Sequence, residues 1–228
     1  MVSSKILKMC LNKFVDKETS SISHIISKTI LASVLASNGL LHNSMVSLIP
    51  SMLISPIGSL LISTATNIVI MIKGRINIRK KTLLNFVIKS ILILLLTIFI
   101  GFVYGYMHIK WTEKEIILPT TEMKSRSSKQ GLFGTGIIAI ACAWAFPWAF
   151  FNQDIATMIS IGIATALLPP LVNIGLTSGT YYSNKSLYEG KKHWIADSKL
   201  YGTIIFLINT SALTLGCILY IMYKPCRK

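Results

Sequence analysis

Negative charge is scarce in this chain. Only 8 of its 228 residues are Asp or Glu, against 23 Lys or Arg, and charged residues of both signs make up 14% of the whole. No paired carboxylates, no nucleophile elbow and no His-Glu-x-x-His motif occur in the apolar segments, so the sequence offers no catalytic constellation and predicts no enzyme. The four cysteines, at 10, 142, 217 and 226, form no Cys-x-x-Cys pair, which excludes a zinc-ribbon pattern or a disulfide framework. His24, His42, His108 and His193 stand far apart with no ligand spacing, so neither a metal nor a cofactor is expected.

What is abundant is apolar surface. Hydrophobic residues make up 52%, and the mean hydropathy is +0.62. The charges cluster, leaving long stretches with no Lys, Arg, Asp or Glu: 29–72, 90–109, 130–153, 155–184 and 200–223. A hydrocarbon core about 30 Å thick is crossed by about 20 apolar residues in a helix. The first stretch is too long for one crossing, and turn-forming residues at Ser37-Asn38-Gly39 and His42-Asn43-Ser44 mark the region that divides it. Six spans are predicted, at 23–41, 45–72, 84–107, 132–151, 155–180 and 200–222. The expected fold is therefore an all-α, polytopic transmembrane helical bundle, an integral membrane protein of unassigned membrane.

The parts follow in order: an N-terminal tail over 1–22, a transmembrane domain over 23–222, and a C-terminal tail over 223–228. The domain divides into halves at 23–107 and 132–222, joined by a mixed-charge linker at 108–131. A shift of 113 residues lays the first half on the second, so that Met45, Ser47, Pro56 and Thr64 fall on Met158, Ser160, Pro169 and Thr177. Three spans per half would make this an inverted repeat, with proline-broken helices at spans two and five. Loop charges give only a weak inside bias.

The net charge of +15 lies in loops and tails, which favours lipid headgroups over nucleic acid as the partner. The tightest cluster, Lys73, Arg75, Arg79, Lys80 and Lys81, directly follows span two and is the expected headgroup contact. Lys28 and Lys89, near span ends, are expected to snorkel to the same surface.

Span two carries Ser47, Ser51, Ser55, Ser59 and Ser63 at four-residue spacing, a polar ribbon along one side of a helix. Pro50 and Pro56 interrupt it. Proline removes a backbone hydrogen bond, and hydrocarbon cannot satisfy the carbonyl it displaces. Span five repeats the theme with Pro169 and Pro170, followed by Asn173 and Thr177. The expected solute or ion site is Ser51, Ser55, Pro56, Ser59, Pro169, Pro170, Asn173 and Thr177, with the two breaks facing each other. The competing reading is a structural or lipid-organising membrane protein. Its serine ribbon would mediate helix packing, or assembly into a homo-oligomer.

Ala36-Ser37-Asn38-Gly39-Leu40, Ile49-Pro50-Ser51-Met52-Leu53-Ile54-Ser55-Pro56 and Gly162-Ile163-Ala164-Thr165-Ala166-Leu167-Leu168-Pro169-Pro170-Leu171 resemble a family of hydrophobic, mainly bacterial membrane proteins known as domain of unknown function 389. The resemblance covers about residues 25 to 220. Pro50 departs from it, standing where the family usually has glycine. The resemblance implies a multi-pass protein of permease type and supplies no substrate.

Overall fold

The computed structural model describes residues 22–72, 80–111, 118–152, 154–165, 167–185 and 192–223. All regular structure among these residues is helical. Six segments are long and apolar enough to cross a membrane: Ile22–Leu41, Met45–Val69, Val87–Trp111, Lys129–Phe150, Ala156–Ser183 and His193–Tyr223. They lie where the uncharged stretches predicted them. The N-terminal tail, Lys73, Arg75, Arg79 and the side chains of Lys80 and Lys81 lie outside the described residues.

Span one is α1 (Ile22–Leu41). It ends at the expected turn, where Asn43 takes the left-handed conformation at φ 54° that asparagine tolerates better than most residues. The amides of His42 and Ser44 donate back to the carbonyls of Asn38 and Gly39, closing the end of the helix. Span two follows as two pieces, α2 (Met45–Ile54) and α3 (Ile57–Ile72), separated at Ser55-Pro56. Pro50 sits inside α2 without ending it. Span three is α4 (Lys80–Trp111), and the linker forms the short helix α5 (Thr121–Ser125). Span four is α6 (Lys129–Asn152). Span five again comes in two pieces, α7 (Ile155–Thr165) and α8 (Leu168–Ser183). Span six is α9 (Lys192–Tyr223).

The centre of the bundle is α8, in which Leu168–Val172 are continuously buried and Asn173, Gly175, Leu176, Thr177, Gly179 and Thr180 are buried beyond them. Its most extensive contact is with α4. Two pairs of glycines make that contact. Gly101 and Gly105 on α4 meet Gly175 and Gly179 on α8, so each helix carries a Gly-x-x-x-Gly motif at the crossing. A Cβ added to Gly101 would lie 2.5 Å from the carbonyl oxygen of Val172, and one added to Gly105 would lie 2.6 Å from that of Leu176. Cβ atoms on Gly175 and Gly179 would overlap the carbonyl oxygens of Ile98 and Phe102. Small residues that admit such backbone approach are the usual device for helix association in lipid, where no hydrophobic effect drives helices together.

Apolar side chains point the other way on the outer helices. Ile91, Leu95 and Phe99 on α4, Phe133, Ile137 and Ile140 on α6, and Leu207, Leu215 and Leu219 on α9 are all exposed. A polar solvent would make these faces a liability. In a bilayer they form an ordinary lipid-facing surface. The linker is tied to the bundle: the Thr120 hydroxyl donates to the Leu40 carbonyl at 2.6 Å, and the Glu122 amide donates to Asn43 Oδ1 at 3.0 Å.

Candidate functional site

Both interrupted spans open on one cavity of about 390 Å³. Its wall includes Ser55, Pro56 and Ser59 from the first interruption and Thr165, Leu167 and Leu168 from the second. The breaks therefore face a common space. Ile25 and Lys28 from α1 and Phe146 and Phe150 from α6 complete much of the remaining wall. The beginning of span one, the end of span four and the beginning of span five all belong to one end of the bundle, so the cavity lies toward that end.

Local chemistry explains the first break. Pro56 has no amide to donate, so the helix cannot continue unbroken through it. The Ser55 amide still reaches the Ser51 carbonyl at 3.2 Å, and Ser55 Oγ accepts from the Ile57 amide at 3.3 Å, which starts the next piece. The Ser59 hydroxyl donates to the Pro56 carbonyl at 2.8 Å. At the second break, Pro169 and Pro170 do not cut a helix that is already running. They occupy the first turn of α8, where a missing amide costs nothing because that amide has no intrahelical partner.

At the second break the Thr165 carbonyl, left over where α7 stops, accepts from Asn209 Nδ2 of α9 at 2.7 Å. The Thr165 hydroxyl donates within its own helix, to the Ile161 carbonyl at 2.9 Å. Asn209 is fully buried, and its Oδ1 has no hydrogen-bond partner among the described residues. Composition alone gave no reason to choose Asn209 from span six. A lone amide in an otherwise apolar stretch, one helix away from a proline-marked break, was the available signal.

The predicted residues divide into two groups. Ser55, Pro56 and Ser59 line the cavity. Ser51 is buried beside it, and its hydroxyl donates to the Leu48 carbonyl at 2.6 Å. Pro169, Pro170, Asn173 and Thr177 are buried in α8 away from the cavity wall. Asn173 Nδ2 instead donates to the Met123 carbonyl of α5 at 3.1 Å and to Ser198 Oγ of α9 at 3.4 Å. The Thr177 hydroxyl donates to the Asn173 carbonyl at 2.8 Å. Asn173 thus ties α8 to the linker and to α9, while Thr177 bonds only within its own helix. The serine ribbon also turns its hydroxyls inward along the backbone: Ser63, like Ser59, donates to a carbonyl of its own span, at 2.9 Å.

Lys28 belongs to the cavity wall rather than only to the headgroup surface. Among the described lining residues it is the one charged side chain. At the opposite end of the bundle, polar contacts draw spans one, two and three together. Tyr104 Oη donates to Asn38 Oδ1 at 3.1 Å, and Asn38 Nδ2 donates to Ser47 Oγ at 3.2 Å. Between α6 and α7, Asp154 caps α7: Oδ1 accepts from the Thr157 amide at 3.2 Å and Oδ2 from its hydroxyl at 2.6 Å. Those two bonds hold the Asp154 carboxyl below the usual carboxylate range.

No curated protein and no solved structure matches the chain. Residues 52–216 match a family model described as Domain of unknown function (DUF389).

Proposed function

Because the chain belongs to the DUF389 family, whose model covers well over half of it, and carries six helices able to cross a membrane, we propose that it is a permease-like protein for a small anionic solute. The observation that carries this reading is the single cavity onto which both helix interruptions open. Interrupted helices lining a space inside a membrane bundle are a recurrent way of presenting backbone groups to a solute. A volume of about 390 Å³ is in the range of small-molecule sites. Lys28 supplies the charge that selects an anion, and the starts of α3 and α8 add the positive ends of two helix dipoles.

Several features support an inverted repeat as the scaffold. In both broken spans the shorter piece comes first. Span three packs on the second piece of span five, and span six packs on the second piece of span two. A cavity toward one end, with polar contacts drawing helices together at the other, suits one state of an alternating-access cycle. The alternative reading, assembly through the serine ribbon, has less to stand on, because Ser51 and Ser63 are buried within the chain itself.

Two measurements test the proposal. Topology reporters at Thr121 and Asn184 are expected on the face opposite the N-terminus; either one on the same face would remove the three-plus-three scaffold. The second measurement uses a chain whose four cysteines are replaced by alanine, reconstituted in vesicles. Ser55→Cys and Ser59→Cys are expected to react with charged methanethiosulfonates from one side only, and faster with the anionic reagent than with the cationic one. Adding Lys28→Gln should lower that anion-to-cation rate ratio about tenfold, the order expected for one charge several ångströms away in a partly dry site. An unchanged ratio would mean that Lys28 does not select the solute.

A further inference from the structure

His42, in the turn after α1, and His108, near the end of α4, are 66 residues apart in sequence and adjacent in space. Their Nε2 atoms are 3.3 Å apart, their ring centroids 5.2 Å apart, and the ring planes 65° from parallel. We propose that this pair is a labile binding site for a late first-row divalent metal ion of the zinc class, with Nε2 of each histidine as a ligand.

The geometry is specific enough to argue from. Zinc–imidazole bonds are about 2.0–2.1 Å long, and two of them at a tetrahedral angle hold their nitrogens about 3.3–3.4 Å apart. The same construction, carried back to the ring centres, puts the centroids about 5.2 Å apart. Both observed distances agree with it. A direct N–H···N hydrogen bond is the competing account, and 3.3 Å is at the long end for such a bond. A straight bond of that length would also push the ring centres to about 5.6 Å.

The surroundings brace the His108 ring and the backbone that carries His42. Tyr104 lies nearly parallel to His108, with centroids 6.0 Å apart, and is itself fixed by its hydrogen bond to Asn38. The His42 amide is bonded to the Asn38 carbonyl at 3.0 Å, so one asparagine orders the approach of both histidines. Among the described residues no cluster of three His, Cys, Asp or Glu side chains forms a closed metal site. Two protein ligands leave the remaining positions to water, which makes the ion exchangeable rather than structural. A bound ion would join the hairpin of spans one and two to the end of span three.

The test is Zn²⁺ titration calorimetry on the full chain in detergent, without a polyhistidine tag and with its four cysteines replaced by alanine. One equivalent is expected to bind. His42→Ala and His108→Ala should each weaken binding about tenfold or more, because either change leaves a single imidazole. His24→Ala and His193→Ala should change nothing. Tyr104→Phe, which keeps the ring and loses the hydrogen bond to Asn38, should give an intermediate loss and guards against a variant that simply misfolds. Zinc affinity that survives both His42→Ala and His108→Ala, or that falls equally with His193→Ala, overturns the assignment.

Discussion

Replacing Gly175 or Gly179 with leucine is expected to abolish accumulation of a monodisperse, folded protein, and replacing either with alanine should lower stability by about 2 kcal/mol or more. The cause lies in what a new Cβ would meet. At both positions it would overlap a backbone carbonyl oxygen of α4, that of Ile98 or that of Phe102. A flexible side chain could swing away, whereas a helix backbone moves only as a unit. The two axes would have to separate along the whole crossing, losing van der Waals contact that lipid offers no hydrophobic effect to replace. Gly134 is the control, since a Cβ there has nothing within 4 Å. Size-exclusion profiles and unfolding midpoints in detergent would compare Gly175→Ala, Gly179→Ala and Gly134→Ala. Equal midpoints for all three would show that the α4–α8 crossing is looser than described.

The second large effect is expected at Asn209. Its Nδ2 satisfies the Thr165 carbonyl, which α7 leaves behind when it stops. Asn209→Leu keeps the bulk and removes the donor, so a buried carbonyl is left unpaired in apolar surroundings. Such a group costs about 1–3 kcal/mol in proteins, and more where no water can reach it. Asn209→Met also removes the donor and, unlike an aspartic acid that burial would keep neutral, brings no O–H in its place. Both variants are expected to lower the unfolding midpoint by several degrees and to alter the accessibility of Thr165→Cys to thiol reagents. Wild-type stability in Asn209→Met would mean that water, not Asn209, satisfies the break.

Much of the architecture could be read from charge alone. Each uncharged stretch became a spanning helix, and the turn at His42-Asn43-Ser44 fell where polar turn-formers divided the longest of them. Both helix interruptions sit next to predicted prolines, but in different ways: Pro56 withholds an amide in mid-span, Pro169 and Pro170 fall in the first turn of α8, and Pro50 leaves α2 unbroken. What spacing could not supply was the rotation of one helix against another. Asn173 and Thr177 follow Pro170 on the same helix, yet neither lines the cavity that Ser55 and Ser59 share, and Asn173 reaches the linker instead.

Other features were visible but had no single-helix meaning. The Gly-x-x-x-Gly motifs at 101–105 and 175–179 become informative only when two helices are known to cross there. Lys28 stands close enough to a span end to fit a headgroup role, and its place in the cavity depends on where α2 and α7 lie. The pairing of His42 with His108 joins residues 66 positions apart, which no local pattern encodes.

The two longest helices carry one more consequence. At 1.5 Å per residue, the 32 residues of α4 and of α9 each extend about 48 Å, against a hydrocarbon core of about 30 Å. Tilting alone would need roughly 50°, outside the observed range of up to about 40°. Part of each helix must therefore stand clear of the hydrocarbon. Because α4 runs parallel to α8 and α9 runs antiparallel to it, their leading turns emerge from opposite faces. The protein thus presents a short helical stalk to each compartment, two rigid handles through which bilayer thickness can bear on the tilt of the helices that clasp α8 and α3.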